Sequence, residues 1–158
     1  MSADSDRVWD LMKKISICMF ATWDGRELHA RPMGAYVRQE EDAVYFLSDA
    51  RRHKDDEVRL YSKVCLAFAD TGSQNYVSLS GQAEVSADRA KIRELWGTPA
   101  KAWWDSPDDP NIRVLKVTPA EAEYWDAPGK TVAYIKMATA AMTGHRPDMG
   151  ENRKVGMR

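Results

Sequence analysis

Short runs of β-branched, aromatic and large apolar residues, each stopped by turn-forming residues, decide most of what this chain can become. Ile17-Cys18-Met19-Phe20-Ala21-Thr22-Trp23 is the first such run. Asp24-Gly25 follows it, a strong hairpin signal because both central residues of a type I′ turn need positive φ. Arg26-Glu27-Leu28-His29-Ala30-Arg31-Pro32-Met33 returns as the partner strand. Pro32 cannot donate to a ladder, so it marks an edge, a bulge or a strand end, where neighbouring N–H and C=O groups are open to a ligand. Gly34-Ala35-Tyr36-Val37 continues the strand, and Val44-Tyr45-Phe46-Leu47 is the next. Val64-Cys65-Leu66-Ala67-Phe68-Ala69 is apolar on both faces and reads as a central strand. In residues 75–85, Val77, Leu79 and Gly81 alternate with Ser78, Ser80 and Gln82, giving one core face and one polar face. Gly81 predicts a bend or a close backbone approach. Ile112-Arg113-Val114-Leu115-Lys116-Val117 is a sixth strand. Beyond it two readings stay open: Thr118-Pro119-Ala120-Glu121 opens a helix by the capping rules, or Glu123-Tyr124-Trp125 is a last strand.

Helical signals are peripheral. Val8, Leu11, Met12 and Ile15 recur at helical spacing after a cap at Ser2 or Asp4. Ser86 or Asp88 caps a helix over residues 89–96, and residues 130–143 form another that stops at Gly144, with Val132, Ile135 and Met142 on one side. Adjacent Trp103 and Trp104 lie in a loop, as a lid on a core or as an interface anchor. Six or seven strands in hairpins with few helices predict a mainly β fold, a closed or partly closed antiparallel barrel. Residues 1–144 read as one domain, and residues 145–158 as a polar tail, flexible or packed on a partner subunit.

Composition narrows the function classes. A chain of 158 residues suits a single domain. A net charge of −1 gives no bulk attraction to nucleic acid or an anionic membrane. No apolar run is long enough to span a bilayer. The acidic start Met1-Ser2-Ala3-Asp4-Ser5-Asp6 is unlike a secretory signal, and Cys18 and Cys65 sit in apolar runs as free thiols. Both predict a cytoplasmic protein. His29, His53 and His145 are far apart with no ligand spacing, so no metal site is expected. No G-x-S-x-G, G-x-G-x-x-G or G-x-x-x-x-G-K-[ST] pattern is present. A hydrolase with its own catalytic side chains is therefore poorly supported, and a cofactor that brings the chemistry with it remains open.

One stretch points to where. After the strand through Leu47 come Ser48, Asp49 and Ala50, then Arg51-Arg52-His53-Lys54, then a short helix beginning Asp55-Asp56-Glu57. A hydroxyl, cationic groups and a helix N-terminus in succession favour an anion such as a phosphate. The alternative is a solvated basic turn paired with the acidic run.

Ala30-Arg31-Pro32-Met33, Phe46-Leu47-Ser48 leading to His53-Lys54, residues 76–83 and Glu123-Tyr124-Trp125 together resemble the pyridoxamine 5′-phosphate oxidase-related split-barrel flavoproteins, nearest the small general stress proteins. Asp109-Pro110 and Gly150-Glu151-Asn152 fit that branch. The resemblance implies a six-stranded antiparallel split barrel, a homodimer and FMN at the dimer interface. It assigns Arg31, Pro32 and Met33 to the isoalloxazine, and Ser48, His53 and Lys54 to the phosphate, with Arg52 close by. Trp125 falls near the flavin, and Tyr76 and Val77 on the strand approaching the ring from the other subunit. The arginine motif that holds the substrate phosphate in pyridoxamine oxidases is absent from residues 129–136. His53 stands where arginine is usual, so its phosphate contact weakens as it loses its proton. An FMN-dependent oxidoreductase acting on a small-molecule substrate is expected. The alternatives are a flavin store or sensor without efficient turnover, or the same barrel holding haem or a deazaflavin.

Overall fold

The computed structural model describes residues 2–52, 54–127, 130–144 and 150–157, without the side chains of 54 and 130–134. The chain folds as a mainly β split barrel. Its strands are β1 (Ile17–Trp23), β2 (Leu28–Gly34), β3 (Tyr36–Arg38), β4 (Ala43–Asp49), β5 (Lys63–Asp70), β6 (Asn75–Ser86), β7 (Ile112–Asp126) and β8 (Glu151–Gly156). Its α-helices are α1 (Ala3–Ile15), α2 (Lys54–Leu60), α3 (Arg89–Leu95), α4 (Thr98–Lys101) and α5 (Lys130–Thr143). The strands form one curled antiparallel sheet in the order β2-β1-β5-β6-β7-β4-β3, with β8 added to β7. The two ends of that path, β2 and β3, are consecutive in the chain and separated only by Ala35, whose N–H donates to the Ser16 carbonyl. The chain itself thus bridges the two edges of the sheet and closes the barrel.

Strand β7 is the longest, and it settles the open question after Val117. It runs through Thr118, Pro119 and on to Asp126, pairing with β6 throughout. The register shifts at Ser80/Gly81: Ser80 faces Glu121, while Gly81 faces Pro119. Ala120 is the extra residue of a bulge, which is where a strand interior tolerates a proline. Its carbonyl accepts from Met157 N–H at 3.0 Å. The expected close approach at Gly81 is present, because a Cβ there would lie 2.5 Å from the Thr118 carbonyl oxygen.

Three further expectations are revised. Residues 145–158 do not read as a polar tail throughout: Glu151–Gly156 pairs with β7 from Asp126↔Glu151 to Glu121↔Gly156. Residues 145–149, with His145, fall outside the described residues. With β8 and the separate short β3, eight strands fall among the described residues rather than six or seven. The first hairpin is not a type I′ turn on Asp24-Gly25: Asp24 N–H donates to the Glu27 carbonyl at 3.1 Å, which leaves Gly25 and Arg26 between them, and only Gly25 of these has positive φ. Asp24 accepts there from the backbone N–H groups of Arg26 and Glu27, both at 2.7 Å. Those backbone bonds and the His29 ring draw the Asp24 carboxyl down to about 2.

The main core fills the barrel beneath α1, with Val8, Trp9, Leu11 and Met12 meeting Phe20, Phe46, Leu66, Phe68, Leu79 and Leu115. Ser2 caps α1 by accepting from Ser5 N–H at 3.1 Å. Cys18 lies in this core, where burial pushes its thiol up to about 12, the signature of an inert thiol. A second cluster lies outside the barrel, where Ile92 and Leu95 of α3, Ala100 and Trp104 cover Ala43, Tyr45, Ile112 and Val114. Asp88 caps α3. On α5, Ile135 and Met142 are exposed. No described helix is long and apolar enough to cross a membrane.

Because the obstacle at Gly81 is backbone, Gly81→Ala should destabilise the fold by about 2 kcal/mol. A lowered urea midpoint with an unchanged slope checks this.

Candidate functional site

The barrel is split where β2 leaves β1 and becomes β3 on β4. Strand β2 pairs only with β1, and β3 covers β4 only from Ala43 to Tyr45. Residues 31–34 of β2 and 47–49 of β4 therefore each have one ladder side unmatched by any strand. A cavity of about 450 Å³ opens between them. Such a volume is typical of small-molecule and cofactor sites. Arg31, Pro32 and Met33 form one wall, Leu47, Ser48 and Asp49 the facing wall, and Arg52 and Trp103 stand among the remaining lining groups.

Five of the expected site residues are thus brought together: Arg31, Pro32, Met33, Ser48 and Arg52. His53 and the side chain of Lys54 lie outside the description. Tyr76 and Trp125 face each other across β6 and β7, partly exposed, and neither lines the cavity. Val77 is 2% exposed, with its side chain in the core, so it contributes no side-chain surface within this chain.

The electrostatics are more closely balanced than a run of basic residues suggests. Arg51 donates to Asp49 through Nε at 2.9 Å, Nη2 at 2.5 Å and its backbone N–H at 2.9 Å. Trp104 Nε1 donates to the same carboxylate at 3.3 Å. Arg52 has no carboxylate partner among the described residues, and its guanidinium lies 5.5 Å from the Trp103 ring centroid. Among the described residues of the basic turn, it is a cation without a carboxylate partner at the cavity.

Two carboxylates of the acidic run reach the walls of the cavity. Ser48 is 1% exposed, and its hydroxyl donates to Asp55 at 2.9 Å. Glu57 accepts from Thr22 Oγ1 at 2.6 Å and lies 3.5 Å from Arg31 Nη2. Helix α2 thus inserts one carboxylate behind each facing wall. The Thr22 and Arg31 contacts of Glu57, like Trp103 at the rim, were missed in the sequence because they join different elements. The tryptophan pair divides its roles: Trp104 covers the second core cluster, while Trp103 is 67% exposed at the cavity.

The fold and the site together define an antiparallel split barrel with a cavity at the split. The chain belongs to the pyridoxamine 5′-phosphate oxidase like family, whose model matches residues 3–148. Among solved structures it is similar to a general stress protein 26 candidate from Jannaschia sp. CCS1. That match has 28% identity over 98% of this chain and 99% of the other, with a TM-score of 0.82. General stress protein 26 of Bacillus subtilis is 22% identical over 138 residues, 83% of this chain and 94% of the relative. The crystallised general stress FMN/FAD binding protein of Xanthomonas citri is 23% identical, with a TM-score of 0.68 over 77% of this chain and 87% of the other.

The Asp49 contacts carry a pH signature. Donation by the Arg51 side chain, chiefly, holds the Asp49 carboxyl well below the ordinary carboxylate value. A depressed folded pKa stabilises the protein above the unfolded value, about 4, and that contribution is lost as pH falls through the folded value. The stability gap between the natural protein and Asp49→Asn should therefore be constant above about pH 4 and close below it. Urea midpoints measured across that range check this.

Proposed function

We propose that the chain is an FMN-binding flavoprotein of this family, working as an oxidoreductase on a small molecule, with the cofactor seated in the cavity at the split. The observation that carries this reading is the convergence of Arg31, Pro32, Met33, Ser48 and Arg52 on one cavity between two unpaired strand edges. The donor set suits a flavin nucleotide. Pro32, Met33, Leu47 and Trp103 offer apolar surface to a flat ring, and unpaired backbone edges offer hydrogen bonds to its heteroatoms. Arg52 offers charge to a phosphate. The name of the Xanthomonas citri relative, an FMN/FAD binding protein, supports the same assignment.

When bound, a flavin supplies the electron-transfer chemistry, and the protein supplies position, electrostatics and access. This accounts for a cavity without a catalytic triad. Arg31 would stand beside the ring and Arg52 at the phosphate. The Ser48 hydroxyl, with its proton on Asp55, would receive rather than give a hydrogen bond, so the phosphate would depend on the cations and on backbone N–H groups.

The functional unit is proposed to be a cytoplasmic homodimer. Ile17, Met19 and Trp23 project outward from β1, with Leu28 beside them on β2 and Trp125 further across the sheet, all exposed. Beside Trp23 and Leu28 lies a second, largely apolar cavity of about 700 Å³, lined also by Tyr61 and Cys65. An exposed apolar face of this kind is characteristic of an interface. A second copy on it would let Tyr76 and Trp125 of one chain complete the cavity of the other.

The purified protein should be yellow and bleach with a reductant, and reoxidation by an acceptor over many cycles separates an oxidoreductase from a flavin store. Arg52→Ala combined with Lys54→Ala should weaken FMN by roughly tenfold or more relative to riboflavin, because a charge-assisted hydrogen bond contributes about 1.5–3 kcal/mol. Titration of both ligands checks this, and equal losses would remove the phosphate from the basic turn. Dilution to monomer, followed by sedimentation with flavin absorbance, should release the cofactor. A monomer that keeps full affinity would refute the shared site.

A further inference from the structure

We propose that Thr22 and Glu57 form a positioning pair that fixes the Arg31 guanidinium at the cavity wall and sets the net charge a bound flavin ring meets there. The inference rests on the flavin reading and adds to it the residues that control the ring's electron affinity.

Thr22 is 1% exposed, so its hydroxyl must find partners inside the protein. It has one proton, and Glu57 Oε2 at 2.6 Å takes it. That leaves the oxygen as an acceptor, and Arg31 Nη1 donates to it at 2.8 Å. The same Nη1 reaches the Phe20 carbonyl at 3.3 Å, which commits both of its hydrogens. Arg31 Nη2 stands 3.5 Å from Glu57 Oε2. The guanidinium is therefore held by two groups of β1 and one of α2. Its Nε–H has no acceptor among the described residues, while the side chain lines the cavity. Thr22 lines the second cavity and not the first, so it acts only through Arg31.

The arrangement has a chemical consequence. A lone guanidinium beside the ring would favour the reduced flavin, which carries more negative charge. With Glu57 alongside, and both side chains only about a quarter exposed, the wall is close to neutral. Glu57 thus lowers the flavin's tendency to take electrons, and Thr22 keeps the guanidinium in one orientation.

The test uses the full-length protein loaded with FMN, read by the midpoint potential of the bound flavin and by FMN affinity. Glu57→Gln keeps an acceptor oxygen for Thr22 and removes the charge, so the potential should shift positive. In an Arg31→Met background the same change should shift it much less. Thr22→Val should weaken FMN by roughly tenfold, and Thr22→Ser should restore it. A natural protein that takes up no flavin overturns the flavin reading and this inference with it. A natural protein that binds flavin while Glu57→Gln leaves the potential unmoved, or shifts it equally with and without Arg31, overturns this inference alone.

Discussion

The ladder between β6 and β7 holds the molecule together. It runs from Asn75↔Asp126 to Ser86↔Val114 and joins the β5 side of the sheet to the β4 side. On its other edge β7 carries β4 along its first half and β8 along its second. Strands this long are expected to coil, and the bulge at Ala120 adds local bend and twist. That curvature brings β2 and β4, far apart in the order of the sheet, to opposite walls of one cavity. The glycine at position 81 is a condition of it, since any side chain there would meet the Thr118 carbonyl.

The site follows from how the barrel closes. A sheet closed by regular pairing would have no free backbone between β2 and β4. Here the closing is done by the chain at Ala35, so backbone on both walls is left for a ligand. Helix α2 then supplies the order that free edges lack, with Asp55 behind Ser48 and Glu57 behind Thr22 and Arg31. Carboxylates placed behind a proposed anion site keep its groups in fixed rotamers while limiting its net positive charge.

Much of this was legible from residue order. The run from Ile17 to Trp23 and the alternation of Val77, Leu79 and Gly81 mark strands because side-chain direction has a period of two. Ser48 and Arg52 were marked by the strand, basic turn and helix start in succession, whereas Arg31, Pro32 and Met33 were joined to them only by the family resemblance. The second half of β7 was ambiguous because Thr118-Pro119-Ala120-Glu121 satisfies helix-start rules locally, and only pairing with β6 and β8 overrides them. Strand β8 was invisible for another reason. Glu151, Asn152, Arg153 and Lys154 are all exposed, and of the strand only Val155 is buried, so no alternation reaches the sequence. Thr22, Glu57 and Trp103 escaped because their roles arise from contacts between different elements, such as Thr22 of β1 with Glu57 of α2, 35 residues apart.

The return of β8 to β7 changes what the segment carrying α5 is. Asp126 and Glu151 are paired neighbours, so everything between them departs from and arrives at the same place on the sheet. The segment is a connection tied to the sheet at both ends. A change of length there is absorbed outside the ladder, because the paired ends fix where the segment leaves and rejoins β7.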